Sequence, residues 1–407
     1  MNNRVNVERK LYTEQLKKYV NTEFVKVITG IRRSGKSSVL ELFQKDILEL
    51  TDREHIIYIN FEDVEYDHIK EYKKLHEYVL SRIRDERTYY LFLDEIQNVT
   101  GWEKCVNSLR LRNIDIYLTG SNSNLLSSEL ATLLAGRYVQ FRLYTLSFEE
   151  FIRFRKEYGV GSDDIDSEMD AYIKIGGFPG LSVGIHDHQT ARRVVADIND
   201  SVIRRDVLRR KNIRNEQLFE SVISFIYDNI GNITTAKNIA DHLKGQRRSA
   251  DIETVYNYLQ YLEEALVTHK VQRYDIRGKR LMETFEKYYL ADHSLQYTVR
   301  EYNEKNLPGI LENIVYLELL RRGYAVGIGK FDNKEVDFVA ERPDGKVYVQ
   351  VCYKLGSERT TEREIGTLLK IRDNYPKLVV VYDKLWQIER DGVRGIHLKD
   401  FLLSDRW

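Results

Sequence analysis

From residue 24 to about 146, short apolar runs alternate with longer stretches in which apolar residues recur every three or four positions. The runs are FVKVIT (24–29), HIIYINF (55–61), YYLFLDE (89–95), IDIYLTG (114–120) and YVQFRLY (138–144). Runs apolar on both faces and separated by helices predict a parallel sheet covered on each side. Residues 5–20 read as a short amphipathic helix. From about 147 to 212 the period is helical, broken by the turn GGFPG at 176–180. Residues 213–272 look like a compact helical unit with a β end. The mixed pattern of 307–407 predicts a helix, several strands, a helix and a strand. The domains expected are 1–146, 147–212, 213–290 and 291–407.

Composition narrows the picture a little. Lysine plus arginine equals aspartate plus glutamate at 63 each, so nucleic-acid affinity would have to come from local patches. The two cysteines, Cys105 and Cys352, offer neither a disulfide framework nor zinc-ligand spacing, which fits a reducing cytoplasm. The N-terminus is charged and lacks a signal-peptide core, and no 18-residue apolar run occurs, so no membrane association is expected.

Candidate chemistry concentrates in the first domain. Gly30-Ile31-Arg32-Arg33-Ser34-Gly35-Lys36-Ser37, followed by Ser38, fits GxxxxGK[ST] between a strand and a helix. The glycines let backbone N–H groups turn toward phosphate oxygens, and the helix N-terminus adds to that field. Lys36 would reach the β and γ phosphates of ATP, and Ser37 would ligate Mg²⁺. Asp94 and Glu95 end an apolar strand; Asp94 would hold Mg²⁺ through water and Glu95 would polarise the attacking water. After the next strand, Thr119, Ser121 and Asn122 can hydrogen-bond the γ-phosphate or that water; plain turn chemistry is the alternative. Arg137 is a candidate finger for a neighbouring subunit's nucleotide, or a surface ion pair.

Taken in order, GIRRSGKS, YLFLDEIQNV, YLTGSNSNLL, LAGRY and GGFPG resemble a widespread prokaryotic family of AAA+-type ATPases over nearly the whole chain. In that family a winged-helix domain and a PD-(D/E)XK nuclease-like domain follow the ATPase. The resemblance implies an α/β fold: a P-loop sheet of AAA+ type, a winged helix-turn-helix, then the nuclease-like α/β domain.

The pattern of residues 213–290 agrees with a winged helix. Three helical stretches precede a hairpin-like run, with Ser249 as a cap for the third. Lys244, Arg247 and Arg248 come before that helix, and Arg273, Arg277, Lys279 and Arg280 lie on the hairpin. These would meet DNA phosphates, or else surround a protein-binding wedge. Arg204 to Arg214 form a further basic cluster that could face DNA, a protein partner or solvent.

The stretch 307–324 reads as an amphipathic helix, and the element order after it resembles the nuclease core. The resemblance places Glu312 and Asp337 at the metal-holding acids. Where it expects Glu-x-Lys, the chain reads Gln350-Val351-Cys352, which removes one negative charge and the lysine. Lys354 could substitute if strand alternation put it beside Gln350 and Cys352, and Glu335 shares a face with Asp337. His186-Asp187-His188 is a weak metal candidate against ordinary loop polarity. The expectation is an ATP- and Mg²⁺-dependent oligomer, a hexamer being one option, that clamps or remodels duplex or branched DNA such as a four-way junction. Two alternatives stay open: an ATP-regulated, metal-dependent DNA endonuclease, and a regulatory NTPase whose winged helix binds protein.

Overall fold

A computed structural model of the chain describes residues 7–122, 125, 134, 136–185, 187–248, 250–355, 362, 365–383 and 389–404. It divides into two compact units: residues up to Thr145 with Glu264–Leu266, and Leu146–Glu263 with Val267–Trp407.

The first unit is built on a five-stranded sheet. Its elements are α1 (Lys10–Lys17), β1 (Val25–Thr29), α2 (Lys36–Ile47), β2 (Ile56–Asn60), α3 (Tyr72–Arg82), β3 (Tyr89–Asp94), α4 (Trp102–Leu109), β4 (Ile114–Gly120) and β5 (Tyr138–Arg142). The strands are parallel throughout, in the order β2-β3-β4-β1-β5. Alternation along β3 explains its unbroken apolar run. Tyr89, Leu91 and Leu93 face a core completed by Leu75 and Val79 of α3 and by Trp102, Val106 and Leu109 of α4. Tyr90 and Phe92 face the opposite core, with Val39, Leu40, Phe43 and Ile47 of α2. Within this sheet Lys26 and Asp115 form a buried ion pair.

The second unit opens with the helices Phe148–Glu157, Ile165–Ile175 and His188–Val202. The first has a full capping box, Ser147 with Glu150. The GGFPG turn is held by Asp292, whose carboxylate accepts from Gly177 N at 2.8 Å. Helices Glu216–Asp228, Ala236–Gly245 and Ile252–Glu264 follow, with the two-residue strand β6 (Ile233–Thr234) between the first pair. Ser249, the expected cap, lies outside the described residues. The hairpin β7 (Thr268–Asp275) and β8 (Arg280–Leu290) leads to the helix Leu307–Arg321. Strands β9 (Ala325–Phe331), β10 (Lys334–Arg342), β11 (Gly345–Cys352), β12 (Lys377–Val381), β13 (Glu389–Arg390) and β14 (Val393–His397) complete a nine-stranded mixed sheet. Because β7 runs parallel to β9, the hairpin is continuous with the C-terminal strands across residue 290.

One element differs from its expected character. The helix Leu307–Arg321 is buried nearly all round rather than along one stripe. Its charges are neutralised inside: Glu318 pairs with Arg321 at 3.5 Å and with Arg322 at 2.7 Å, and Glu312 is reached by Lys287. Charged side chains read as a solvent face are internal ion pairs.

Candidate functional site

The turn between β1 and α2 is shaped by two glycines. Gly35 takes φ +97° and caps α2, and a Cβ on Gly30 would lie 2.3 Å from the carbonyl oxygen of Leu143. Arg33 also has positive φ and is exposed, as is Ser38. Ser34 is fully buried, and its Oγ has no hydrogen-bond partner. Lys36 is buried; its Nζ donates to the carbonyl of Gly30 at 3.2 Å and stands 3.3 Å from Glu95 Oε1.

Both acids belong to this cluster. Thr119, at the end of β4, hydrogen-bonds Asp94 through its hydroxyl and accepts from the Glu95 backbone N–H at 2.9 Å. One side chain thereby fixes the two acids at the C-terminal end of β3. Tyr58 donates to the other oxygen of Asp94 at 3.3 Å. Burial holds the Asp94 carboxyl above its ordinary range, against hydrogen bonds from Ser37 and Thr119. Glu95 goes the other way: burial would raise it, but the Lys36 ammonium and a hydrogen bond from Gln97 hold it lower. Glu95 has a left-handed backbone, φ 55°, which turns its side chain out of the strand line and toward Lys36. Gln97 also reaches Ser121 Oγ at 3.4 Å. Ser121 and Asn122 are buried beside this end of the sheet.

Arg9, which sequence reasoning missed, is part of the same construction. Its guanidinium is buried and donates to the carbonyls of Ser34 (3.0 Å), Tyr144 (2.9 Å) and Thr145 (3.3 Å). It clamps the glycine loop to the segment after β5. No local pattern marks it, since its partners are backbone carbonyls far along the chain.

Arg137 stands elsewhere. It is exposed, and its carbonyl accepts from Val25 N at the start of β1. The glycine loop lies at the other end of that strand, about 13 Å away at the ordinary rise per residue. Arg137 is therefore remote from the loop of its own chain.

In the second unit, Glu312, Glu335 and Asp337 converge on Lys287 of β8. Lys287 Nζ lies 2.7 Å from Glu335 Oε1 and 3.2 Å from Glu312 Oε2, and the Tyr289 hydroxyl donates to the same Glu312 oxygen at 3.0 Å. Burial alone would lower the Lys287 pKa; Glu312, Asp337 and Glu335 outweigh it and raise it. Asp337 accepts from Val351 N at 2.7 Å, and Gln350 Oε1 accepts from Asp337 N at 3.4 Å. Cys352 packs in an apolar core with Tyr348, Val379 and Val381. Strand β11 ends at Cys352, so alternation does not extend to Lys354, which is exposed. The lysine among the acids is Lys287, which the sequence marks only as a charge inside the aromatic run FEKYYL.

The basic residues named on the hairpin and the preceding turn are mostly at the surface. Lys244, Arg247, Arg248, Arg277, Lys279 and Arg280 are exposed. Arg248 bonds Ser221, Arg277 pairs with Asp332 at 2.8 Å, and Arg273 is half-buried over the Phe285 ring. His186 lies outside the described residues. Asp187 caps the helix after it, and His188 bonds the Lys174 carbonyl at 2.7 Å. Among the described residues no group of three or more His, Cys, Asp or Glu is arranged to hold a metal ion, and no helix is long and apolar enough to cross a membrane.

A family model described as an AAA domain matches residues 22–152, and one described as a domain of unknown function (DUF8612) matches residues 166–306. An uncharacterized protein of Haemophilus influenzae is 40% identical over 403 residues, covering 98% of this chain and 99% of its own. An uncharacterized protein of Methanocaldococcus jannaschii is 34% identical over 351 residues, 84% of this chain and 77% of its own. The Walker-type ATPase of Pyrococcus abyssi is similar at 18% identity over 72% of this chain and 95% of that one, with a TM-score of 0.49, too distant to carry an argument. The chain belongs to one family with the Haemophilus and Methanocaldococcus proteins, and its first unit is a P-loop AAA domain on a parallel sheet.

Proposed function

We propose that this protein hydrolyses ATP and that the nucleotide state of its AAA domain governs the grip of its C-terminal half on DNA. The observation that carries the ATP reading is the convergence of Lys36, Asp94, Glu95 and Thr119 at one end of the parallel sheet. The residues fit a Mg²⁺–nucleotide: a glycine loop closed to a Cβ at Gly30 and left-handed at Gly35, a buried serine hydroxyl without a partner, and a serine–aspartate pair. Ser37 and Asp94 would hold the metal, which spreads the charge of the phosphates. Gly30, Arg33, Ser34, Gly35 and Ser38 line the loop, and Lys36 meets the phosphate oxygens. Glu95, kept ionised by Lys36, accepts the proton of the attacking water. Thr119 positions both acids, and Asn122 stands beside them for the γ-phosphate. Arg137, remote from its own loop, serves a neighbouring copy's nucleotide in an oligomer, with an effect of about 10³–10⁵ in rate.

Three helices, a short strand and a hairpin follow the order of a winged helix. The exposed Lys244, Arg247, Arg248, Arg277, Lys279 and Arg280, with Lys354, support phosphate contact. The later strand order supports a nuclease-like domain, degenerate at Gln350 and Cys352. A second reading, a winged helix that binds protein, is favoured by one observation. The helix Ile252–Glu264 contains no lysine or arginine and exposes Ile252 and Tyr256, while β8 exposes Leu281 and Phe285.

Glu95→Gln protein incubated with ATP, Mg²⁺ and end-labelled linear and four-way DNA separates the readings on one native and one denaturing gel. Retarded, intact DNA is expected. Free, intact DNA would favour the protein-binding reading, and shortened DNA the endonuclease.

A further inference from the structure

The acids that the nuclease resemblance assigns to a divalent cation do not stand ready for one. Glu312, one of them, already shares a cation with the neighbouring Glu335: the Lys287 ammonium, at 3.2 Å and 2.7 Å. Lys287 and Glu312 come from different elements, β8 and the buried helix Leu307–Arg321, and only 3% of the lysine side chain is exposed. Asp337 is drawn to a backbone donor, Val351 N, and Gln350 turns its oxygen to the Asp337 N–H. Hard divalent cations need several oxygens at about 2.0–2.6 Å. An ammonium lying between the carboxylates takes that space and repels a second positive charge.

We propose that Lys287 is the resident cation of this cluster, and that it closes the C-terminal sheet to divalent metal while tying the β7–β8 hairpin to the helix and to β10. The lysine lost from the strand at Cys352 has no counterpart in the water-activating sense; a lysine from the preceding hairpin replaces the metal instead. The contacts support this. The Lys287 ammonium lies within reach of two of the carboxylates, Glu312 and Glu335, and Asp337 is held instead by the Val351 N–H. This inference rests on the nuclease-like reading of the C-terminal strands only for the comparison; the ion pairs stand without it.

The test is Mn²⁺ binding by the full chain without nucleotide, read by electron paramagnetic resonance. Every sample carries Asp94→Asn to remove the acid of the ATP site. With Lys287 intact, no tight Mn²⁺ is expected. Adding Lys287→Ala should create one site per chain, at least about tenfold tighter than any binding before, and adding Asp337→Asn should abolish it. Lys287→Met serves if the alanine variant does not fold. Tight Mn²⁺ on the Lys287-containing chain would overturn the proposal without any Lys287 variant, as would a folded Lys287 variant that gains no site. ATP turnover and DNA retardation use neither readout, so the proposed function can fail while this inference stands, and the reverse.

Discussion

At the scale of the residue, the decisive contact is between Lys36 and Glu95. Burial would raise the Glu95 carboxyl, but Lys36 and Gln97 hold it below its ordinary 4.5. A lowered folded-state pKa contributes stability that is complete above the unfolded value and disappears as pH falls through the folded one. Acid melting should therefore cost the wild type more stability than Glu95→Gln as pH drops below about 4.5; parallel losses would contradict the pairing. Lys36, Ser37, Asp94 and Glu95 were legible because spacing and strand context announce them. Arg9, Gln97 and Lys287 were not. Each acts on a partner through space, and neither a carbonyl of Ser34 nor a carboxylate on another element leaves a trace beside it in the sequence.

At the scale of the element, two small devices hold segments in place. Arg9 joins the glycine loop to the segment after β5 through three carbonyls. Arg9→Ala should destabilise the protein by about 2–4 kcal/mol, because buried acceptors lose a charged donor, and should weaken ATP binding. Arg9→Lys should not restore either, since one ammonium lacks the planar fork. Denaturant melts and nucleotide titration check both, and an Arg9→Ala protein of wild-type stability and affinity would refute the clamp. In the second unit, Gly176 has φ +95°, and a Cβ there would lie 2.4 Å from Ser294 Cβ. Gly176→Ala should cost more than about 2 kcal/mol, measured by chemical denaturation; a loss below the ordinary Gly-to-Ala range would mean the turn adapts. Strands β1, β3 and β4 could be read directly, because both faces are buried and the runs are largely apolar. The helix Leu307–Arg321 could not, because its charges are paired inside and its pattern imitates a solvent-facing side.

At the scale of the whole molecule, the reading depends on a nucleotide shared between copies. Arg137 lies at the end of β5 away from its own glycine loop. Lys36→Ala and Arg137→Ala should each be nearly inactive alone. Mixed in equal amounts, they should regain turnover at interfaces that join an intact loop to an intact arginine, about a quarter of the total for random assembly. A mixture no more active than its parts would place Arg137 outside the reaction. The alternation of strands and helices made the AAA sheet predictable as a whole. The continuity of the hairpin with the C-terminal strands was not, because β7 and β9 pair across an intervening helix.

Steady-state ATP turnover of the wild-type chain beside Lys36→Ala and Glu95→Gln tests the central claim most directly. Mg²⁺-dependent turnover is expected in the wild type. Glu95→Gln should bind ATP but turn it over about 10²–10⁴ times more slowly, and Lys36→Ala should lose binding or turnover. Wild-type turnover in either variant, or none in the wild type with Mg²⁺ and DNA present, would contradict the account.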